Sequence, residues 1–351
     1  MTMAERRRWK VAGVLVAAVV AVVTGSGRGG AQTPVLNLYN ARHYDTDQAL
    51  YDDFARQTGV RVNLIQGDAD QLIERIKAEG PGSPADVLIT VDAGRLYRAQ
   101  QAGLCQRVPS PVLAARIPAN LRDPDGFWYG FTKRMRVVAY ARDRVTRDQL
   151  STYEDLADPR WRGRVLVRSS RHVYNQSLVG AMIAWHGAPF VARWARGIVQ
   201  NLARPPQGGD TDQLLALAAG EGDVALVNHY YYLRLLNSAR PHERAAAARV
   251  GLFFPNQGPE ERGVHVNVSG ACVVATAPHR AAAVAFLEYL ASDRAQEIFA
   301  KGNFEFPAVR GITNPMAAIA PASLKEDPLN ARVYAANGAS ALQLMVGAGW
   351  R

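Results

Sequence analysis

Cysteine is scarce in this chain: its 351 residues hold two, Cys105 and Cys272, far apart and at no metal-ligand spacing. A thiolate metal site is excluded, and the two thiols form either one disulfide or two buried side chains. No G-x-S-x-G elbow occurs. Ser169 and Ser170 lie close to His172, but no carboxylate follows to orient the imidazole, so a serine nucleophile has no support and the chain is not expected to be an enzyme. The formal charge is +10, yet the arginines are scattered singly and no nucleic-acid motif accompanies them, which argues for solvated surface charge and against a nucleic-acid partner. Internal repeats are lacking, and so is any low-complexity tract beyond the first thirty or so residues.

Those first residues have three parts. ERRRWK is basic, VAGVLVAAVVAVV is apolar, and TGSGRGGAQT is a small-residue exit. This is the form of an export signal over residues 1–31, with cleavage expected near Ala31 and a periplasmic destination. The apolar run is short for a membrane span, although an uncleaved anchor is the alternative. No cysteine at the exit offers a lipid anchor. The Arg6–Lys10 cluster leaves general and twin-arginine export both open. Removing residues 1–31, with five basic side chains and one acidic, leaves +6 for the remainder.

From Pro34 onward, short β-rich runs alternate with helical patterns. VLNLYNA reads as a strand, and Thr46–Gln57 as a helix with Leu50, Tyr51 and Phe54 on one face. VRVNLIQG and ADVLITV are further strands. DADQLIERIKAEG is a helix capped by an aspartate and ended by Gly80, and Asp92 fits as the N-cap of DAGRLYRAQQAG. RGRVLVR, HVYNQSLVGAMIAWHG, DTDQLLALAAG and GDVALVN continue the alternation. The pattern predicts an α/β fold of parallel sheets covered by helices. Two extended stretches, 131–141 and 263–276, are long enough to pass between two domains. They predict a two-lobed clamp, each lobe a mixed sheet with helices on both faces, with residues 34–136 plus 264–307 in the first lobe and 137–263 plus 308–351 in the second.

Ligands of open α/β sheets collect at the carboxyl ends of strands, and three such junctions deliver tyrosine. LNLYNARHYD supplies His43 and Tyr44, LVRSSRHVYNQS supplies Tyr174, and ALVNHYYYLRL supplies Tyr230 and Tyr231. No comparable series of serine, cysteine or acid residues stands at strand ends. A helical wheel puts His229, Tyr232, Leu233 and Leu236 on one apolar stripe, and Tyr230 on another face with Arg234 one turn on. Tyr39, Tyr51, Tyr97, Tyr129, Tyr140 and Tyr153 fit as half-buried edge residues. His172, His186, His265 and His279 have no partner visible in the sequence. Converging phenols suit a hard, highly charged cation, which can displace phenolic protons that would otherwise leave only near pH ~10. Four phenolates around Fe³⁺ leave about one negative charge, and Arg134 or Arg234 could offset it.

These segments resemble periplasmic ferric-iron-binding proteins, the solute receptors of ABC-type iron importers. The likeness runs through LNLYNARHYDTD, PADVLITVDAGRL, RSSRHVYNQSLV, VNHYYYLRLL and AFLEYLASDRAQEIFAKGNFEFPAV, with the adjacent Tyr230–Tyr231 pair as its most specific part. Many members of that family carry a glutamate ligand after the PADV strand, where this chain has Val91. The chain is thus similar to the tyrosine-rich branch, in which a synergistic anion is not required. The resemblance implies His43, Tyr44, Tyr174, Tyr230 and Tyr231 as metal ligands, with Arg134 and Arg234 around them. It implies Fe³⁺ as cargo, with Fe²⁺ left open, an ABC-type permease in the inner membrane as partner, and a monomer. A receptor of the same shape for an oxyanion such as phosphate or sulfate is the alternative, supported by the basic charge, RSSRH and the helix N-termini.

Overall fold

The computed structural model describes residues 33–351 apart from His43, Asn314, Pro315, Ala317 and Ala318. The expected export signal and His43 therefore lie outside the described residues. Among the described residues there are nine strands: β1 Val35–Asn40, β2 Arg61–Gln66, β3 Val87–Val91, β4 Tyr129–Ala141, β5 Val165–Leu166, β6 Val224–Asn228, β7 Val250–Phe253, β8 Val266–Val273 and β9 Phe306–Pro307. The helices up to the long strand β4 are α1 Gln48–Thr58, α2 Ala69–Glu79, α3 Ala93–Gln101 and α4 Pro111–Arg116. Between β5 and β8 come α5 Val173–His186, α6 Ala188–Asn201, α7 Asp210–Ala219, α8 His229–Leu236 and α9 Pro241–Arg249. The chain ends on α10 Arg280–Leu290, α11 Asp293–Asn303, α12 Ala331–Ala336 and α13 Gly338–Gly347.

Local chemistry accounts for the elements near the cleft. VLITV of β3 and VALVN of β6 are buried along their whole length, as expected of strands covered on both faces. Asp68 caps α2 by accepting from the Asp70 and Gln71 amides, and Leu72, Ile73 and Ile76 turn inward. Asp92 caps α3 through the Gly94 amide.

Pairing is parallel where crossover helices link the strands: β1 with β2 and β3, and β5 with β6. It is antiparallel wherever β4 or β8 takes part, so the sheets are mixed, where the strand–helix alternation alone predicted parallel ones. β4 serves both sheets. Its first half runs beside β8 as far as Met135↔Val266, and from Arg136↔Asn228 onward it belongs with β6. Gly270 permits the close β4–β8 approach, because a Cβ there would sit 2.3 Å from the Tyr129 carbonyl oxygen.

The two cysteines form a disulfide that ties the segment after α3 to β8. A crosslink closing so long a loop stabilises by roughly 2–5 kcal/mol. Toward the C-terminus, α12 packs against both α3 and α5, while Arg332 pairs with Asp125 at 2.6 Å. The sequence pattern gave no sign of α12 or α13.

Candidate metal centre

Each of the four tyrosines occupies the position that its strand-to-helix junction predicts. Tyr44 follows β1 and precedes a short turn, Asp45–Asp47, that leads into α1. Tyr174 is in the first turn of α5, and Tyr230 and Tyr231 are in the first turn of α8. Tyr44, Val91, Val173 and Tyr174 form a small buried cluster separate from the main core, with Tyr231 packed on it. Val91, at the place of the missing glutamate, is thus an apolar floor under the phenols.

The phenols converge. The Tyr230 hydroxyl donates to that of Tyr174 at 3.2 Å. The Tyr230 and Tyr231 rings lie 4.4 Å apart, and Tyr44 meets Tyr230 edge-on at 6.3 Å. Tyr230 is fully buried, Tyr44 and Tyr174 nearly so, and Tyr231 is half-buried. Beside them a cavity of about 330 Å³ is lined by Arg42, Asp68, Arg95, His172, Tyr174 and Tyr231, among others. Among the described residues, no group of three or more His, Cys, Asp or Glu could hold a metal. The donors that the described residues bring together here are phenolic oxygens.

Both arginines singled out in the sequence face this cluster. Arg134, fully buried in β4, donates through Nη1 to the hydroxyls of Tyr174 at 3.1 Å and Tyr230 at 3.4 Å. Its Nε makes no hydrogen bond among the described residues. The Arg234 guanidinium lies 4.6 Å from the Tyr44 ring centre, 5.3 Å from that of Tyr230 and 5.7 Å from that of Tyr231. The helical wheel needs one correction. Tyr232 and Leu233 are buried as predicted, but Leu236 is 40% exposed and Leu235 is buried instead. Helix α8 is eight residues long and stops at Asn237, so the apolar stripe does not extend a second turn.

Several residues of the site were not singled out in the sequence. Glu305, fully buried ahead of β9, accepts from the Tyr44 hydroxyl at 2.6 Å. Arg42 pairs with Asp47 at 2.6 Å and Glu305 at 3.3 Å, and its guanidinium lies 4.6 Å from the Tyr44 ring centre. Behind Tyr174 and Tyr230, Asp210 accepts from Arg136 at 2.6 Å, Arg168 at 3.2 Å and the Asn228 amide at 2.7 Å. His172 caps α5 by accepting from the Tyr174 amide, and its ring packs on Tyr174 at 4.3 Å. An acid flanked by two phenylalanines, as in NFEFP, is the signal that could have exposed Glu305, since a charge in an apolar run must find a buried partner.

Electrostatics follow from this packing. Burial, and then the Glu305 carboxylate, push the Tyr44 phenol well above its ordinary value. Burial, followed by neighbouring Tyr174 and Tyr44, does the same to Tyr230. Tyr231 is raised chiefly by burial. Burial opposes ionisation of Glu305, but Arg42 and Arg134 prevail and hold it at about 2. His172 is kept neutral, at about 2, by burial and by Arg168. At neutral pH these three phenols are protonated, so a cation must supply the energy of their ionisation.

Guanidinium charge is in excess here. Arg42, Arg134, Arg168 and Arg234 face the phenol rings, and three carboxylates, Asp47, Glu305 and Asp210, pair with members of that set. Arg136 shares Asp210 with Arg168, so five guanidiniums stand against three carboxylates and two positive charges are left over. Four phenolates around a trivalent ion would leave about one negative charge, which this surplus offsets.

A two-domain α/β fold, with polar side chains from separate segments meeting at the strand ends, is the architecture of a solute receptor. The chain belongs to the bacterial extracellular solute-binding proteins, whose family model matches residues 82–331. It is similar to Iron uptake protein A2 of Synechocystis sp., with 53% identity over 350 residues, covering 100% of this chain and 99% of that one. Among solved structures it is similar to Trichodesmium IdiA (FutA) in complex with iron and citrate ligands, at 51% identity and a TM-score of 0.87, covering 90% of this chain and 100% of that one. It is also similar to the ferric binding protein from Campylobacter jejuni, at 36% identity and a TM-score of 0.84, covering 90% of this chain and 100% of that one.

Proposed function

We propose that this protein is an exported receptor that binds Fe³⁺ in the cleft through the phenolates of Tyr44, Tyr174, Tyr230 and Tyr231, with His43 as a further donor. It would hand the ion to an ABC-type permease in the inner membrane. The observation that carries the reading is the convergence of phenol groups under a buried arginine, Tyr174 and Tyr230 having their oxygens 3.2 Å apart. The iron named for the similar proteins supports it.

The chemistry follows from the donors. Phenolate is a hard oxygen ligand that matches a trivalent ion better than a divalent one. Tyr44 approaches from the turn after β1 and the other three from the first turns of α5 and α8, so the full set exists only when the cleft is closed, and the ion favours closure by its differential affinity. Arg134 and Arg234 supply the positive charge that excess phenolate calls for, in place of a bound anion. Further parts of the reading are lobes divided near residues 136 and 264, removal of residues 1–31 on export, and a monomeric receptor.

The oxyanion alternative loses support at the helix α5 N-terminus, where His172 already takes the Tyr174 amide, and it leaves the phenols unexplained. Competition titration separates the two. Fe³⁺ presented from a weak chelator should bind at one equivalent, with phosphate and sulfate producing no comparable heat or stabilisation. Saturable phosphate or sulfate binding without ferric binding would reverse the assignment.

A further inference from the structure

We infer that Glu305 is a specificity-determining residue of this site, its fixed negative charge favouring a trivalent over a divalent ion. The inference rests on the iron reading above and deepens it. Glu305 touches one of the proposed ligands directly: its Oε1 accepts from the Tyr44 hydroxyl at 2.6 Å. An ion held by that phenolic oxygen has this carboxylate as a near neighbour, yet neither of its oxygens is spare for coordination.

Oε1 also accepts from Ser269 Oγ at 3.3 Å, and Oε2 accepts from the Thr132 hydroxyl and from Arg42 Nη1 at 3.3 Å. The Arg134 Nε stands 3.9 Å from Oε1. The carboxylate is therefore held on several sides and acts through its charge and through the two side chains it orients, Tyr44 and Arg42.

The backbone around it is fixed with equal care. Phe304 adopts a left-handed conformation, φ +57°, unfavourable for a bulky residue. Its carbonyl accepts from His229 Nε2 at 2.8 Å, while His229 Nδ1 accepts from the Met135 amide at 3.1 Å. Phe306 and Pro307 then pair with Lys133 and Thr132 of β4. A strained residue, the histidine that precedes the Tyr230–Tyr231 pair, and the strand that carries Arg134 all converge on the position of one carboxylate.

Coulomb attraction to a fixed charge scales with the charge of the ion. Removing the Glu305 charge therefore weakens a trivalent ion half again as much as a divalent one. A neutral side chain of the same shape would fill the space and accept the Tyr44 hydrogen bond, so the charge itself serves the buried guanidiniums of Arg42 and Arg134 and the discrimination between ions.

The test is Glu305→Gln, with Fe³⁺ and anaerobic Fe²⁺ affinities and the reduction potential of the bound iron measured beside the original protein. Gallium serves as a redox-inert trivalent probe. The expected result is roughly a tenfold larger loss for Fe³⁺ than for Fe²⁺, equal to an upward shift of about 59 mV for this one-electron couple, with gallium following Fe³⁺. Glu305→Asp, which keeps the charge, should return the potential most of the way. If Glu305→Gln does not fold, Glu305→Ala, which leaves room for water on Arg42 and Arg134, carries the same expectation. Equal losses for the two oxidation states in a folded neutral variant would overturn the inference and leave Glu305 a structural residue. Failure of the unaltered protein to bind Fe³⁺ would overturn the iron reading itself.

Discussion

The two walls of the cleft are built differently. Tyr174, Tyr230 and Tyr231 stand in the first turns of α5 and α8, backed by Asp210 with Arg136 and Arg168 and by Asn175 on Arg136. Tyr44 stands in the turn between β1 and α1, and its hydroxyl is held by Glu305, 261 residues away in the chain. One wall presents three phenols on elements braced by a buried ionic network. The other presents one phenol whose placement depends on a distant carboxylate. The first wall should decide whether an ion is bound, and the second how fully the cleft closes and which ion it prefers.

The largest expected effect breaks the braced wall. Tyr230→Phe keeps the ring and removes the donor oxygen, and ferric affinity should fall by roughly three orders of magnitude, about 4 kcal/mol, with the melting temperature of the ion-free protein little changed. Affinity within threefold of the original would remove Tyr230 from the site. Next comes the brace. Asp210→Asn leaves the buried Arg136 and the half-buried Arg168 without their counterion, and unfolding free energy should drop by about 3–5 kcal/mol. Denaturant melts check this, and an unchanged midpoint would mean that the network does not hold the wall.

Tyr44→Phe acts on the other wall and should cost less, roughly 10- to 100-fold in ferric affinity, or about 1.4–2.8 kcal/mol. The proton count sharpens the contrast. Phenols pushed above their ordinary value are protonated at neutral pH, so each one that ligates releases a proton, and ferric affinity falls as pH falls. A pH-stat should record about four protons per ion for the original protein and about one fewer for Tyr44→Phe. The smallest effect is expected from Ser177→Ala. Ser177 on α5 donates to Asp92, the cap of α3, at 2.7 Å, a bond that ties the helix carrying Tyr174 to the end of β3. Its loss should weaken ferric binding by about 1 kcal/mol, mainly through faster release in stopped-flow chelation.

The four tyrosines were legible on both walls, and the groups that hold them were not. Strand-to-helix junctions are local patterns, and each put its tyrosine at the strand ends without knowledge of any partner. The two extended runs pointed to two lobes, but the strand–helix alternation read as parallel pairing, because the antiparallel partners of β4 and β8 are remote in sequence. Glu305, Arg42 and Asp210 escaped because their meaning comes from partners remote in sequence, and a lone acid or arginine reads as surface. Leu236 was misplaced for a related reason: periodicity says which residues share a stripe but not where a short helix ends. The Cys105–Cys272 bond stayed open until β8 was seen beside the segment after α3.

The most direct test of phenolate coordination is a visible absorption spectrum recorded during ferric titration and again after a strong chelator is added. A phenolate-to-iron charge-transfer band should grow to one equivalent, vanish with the chelator, and be lost or much weakened in a Tyr230→Phe, Tyr231→Phe double variant. Stoichiometric iron binding with no such band, or a band undiminished in that variant, would contradict the account.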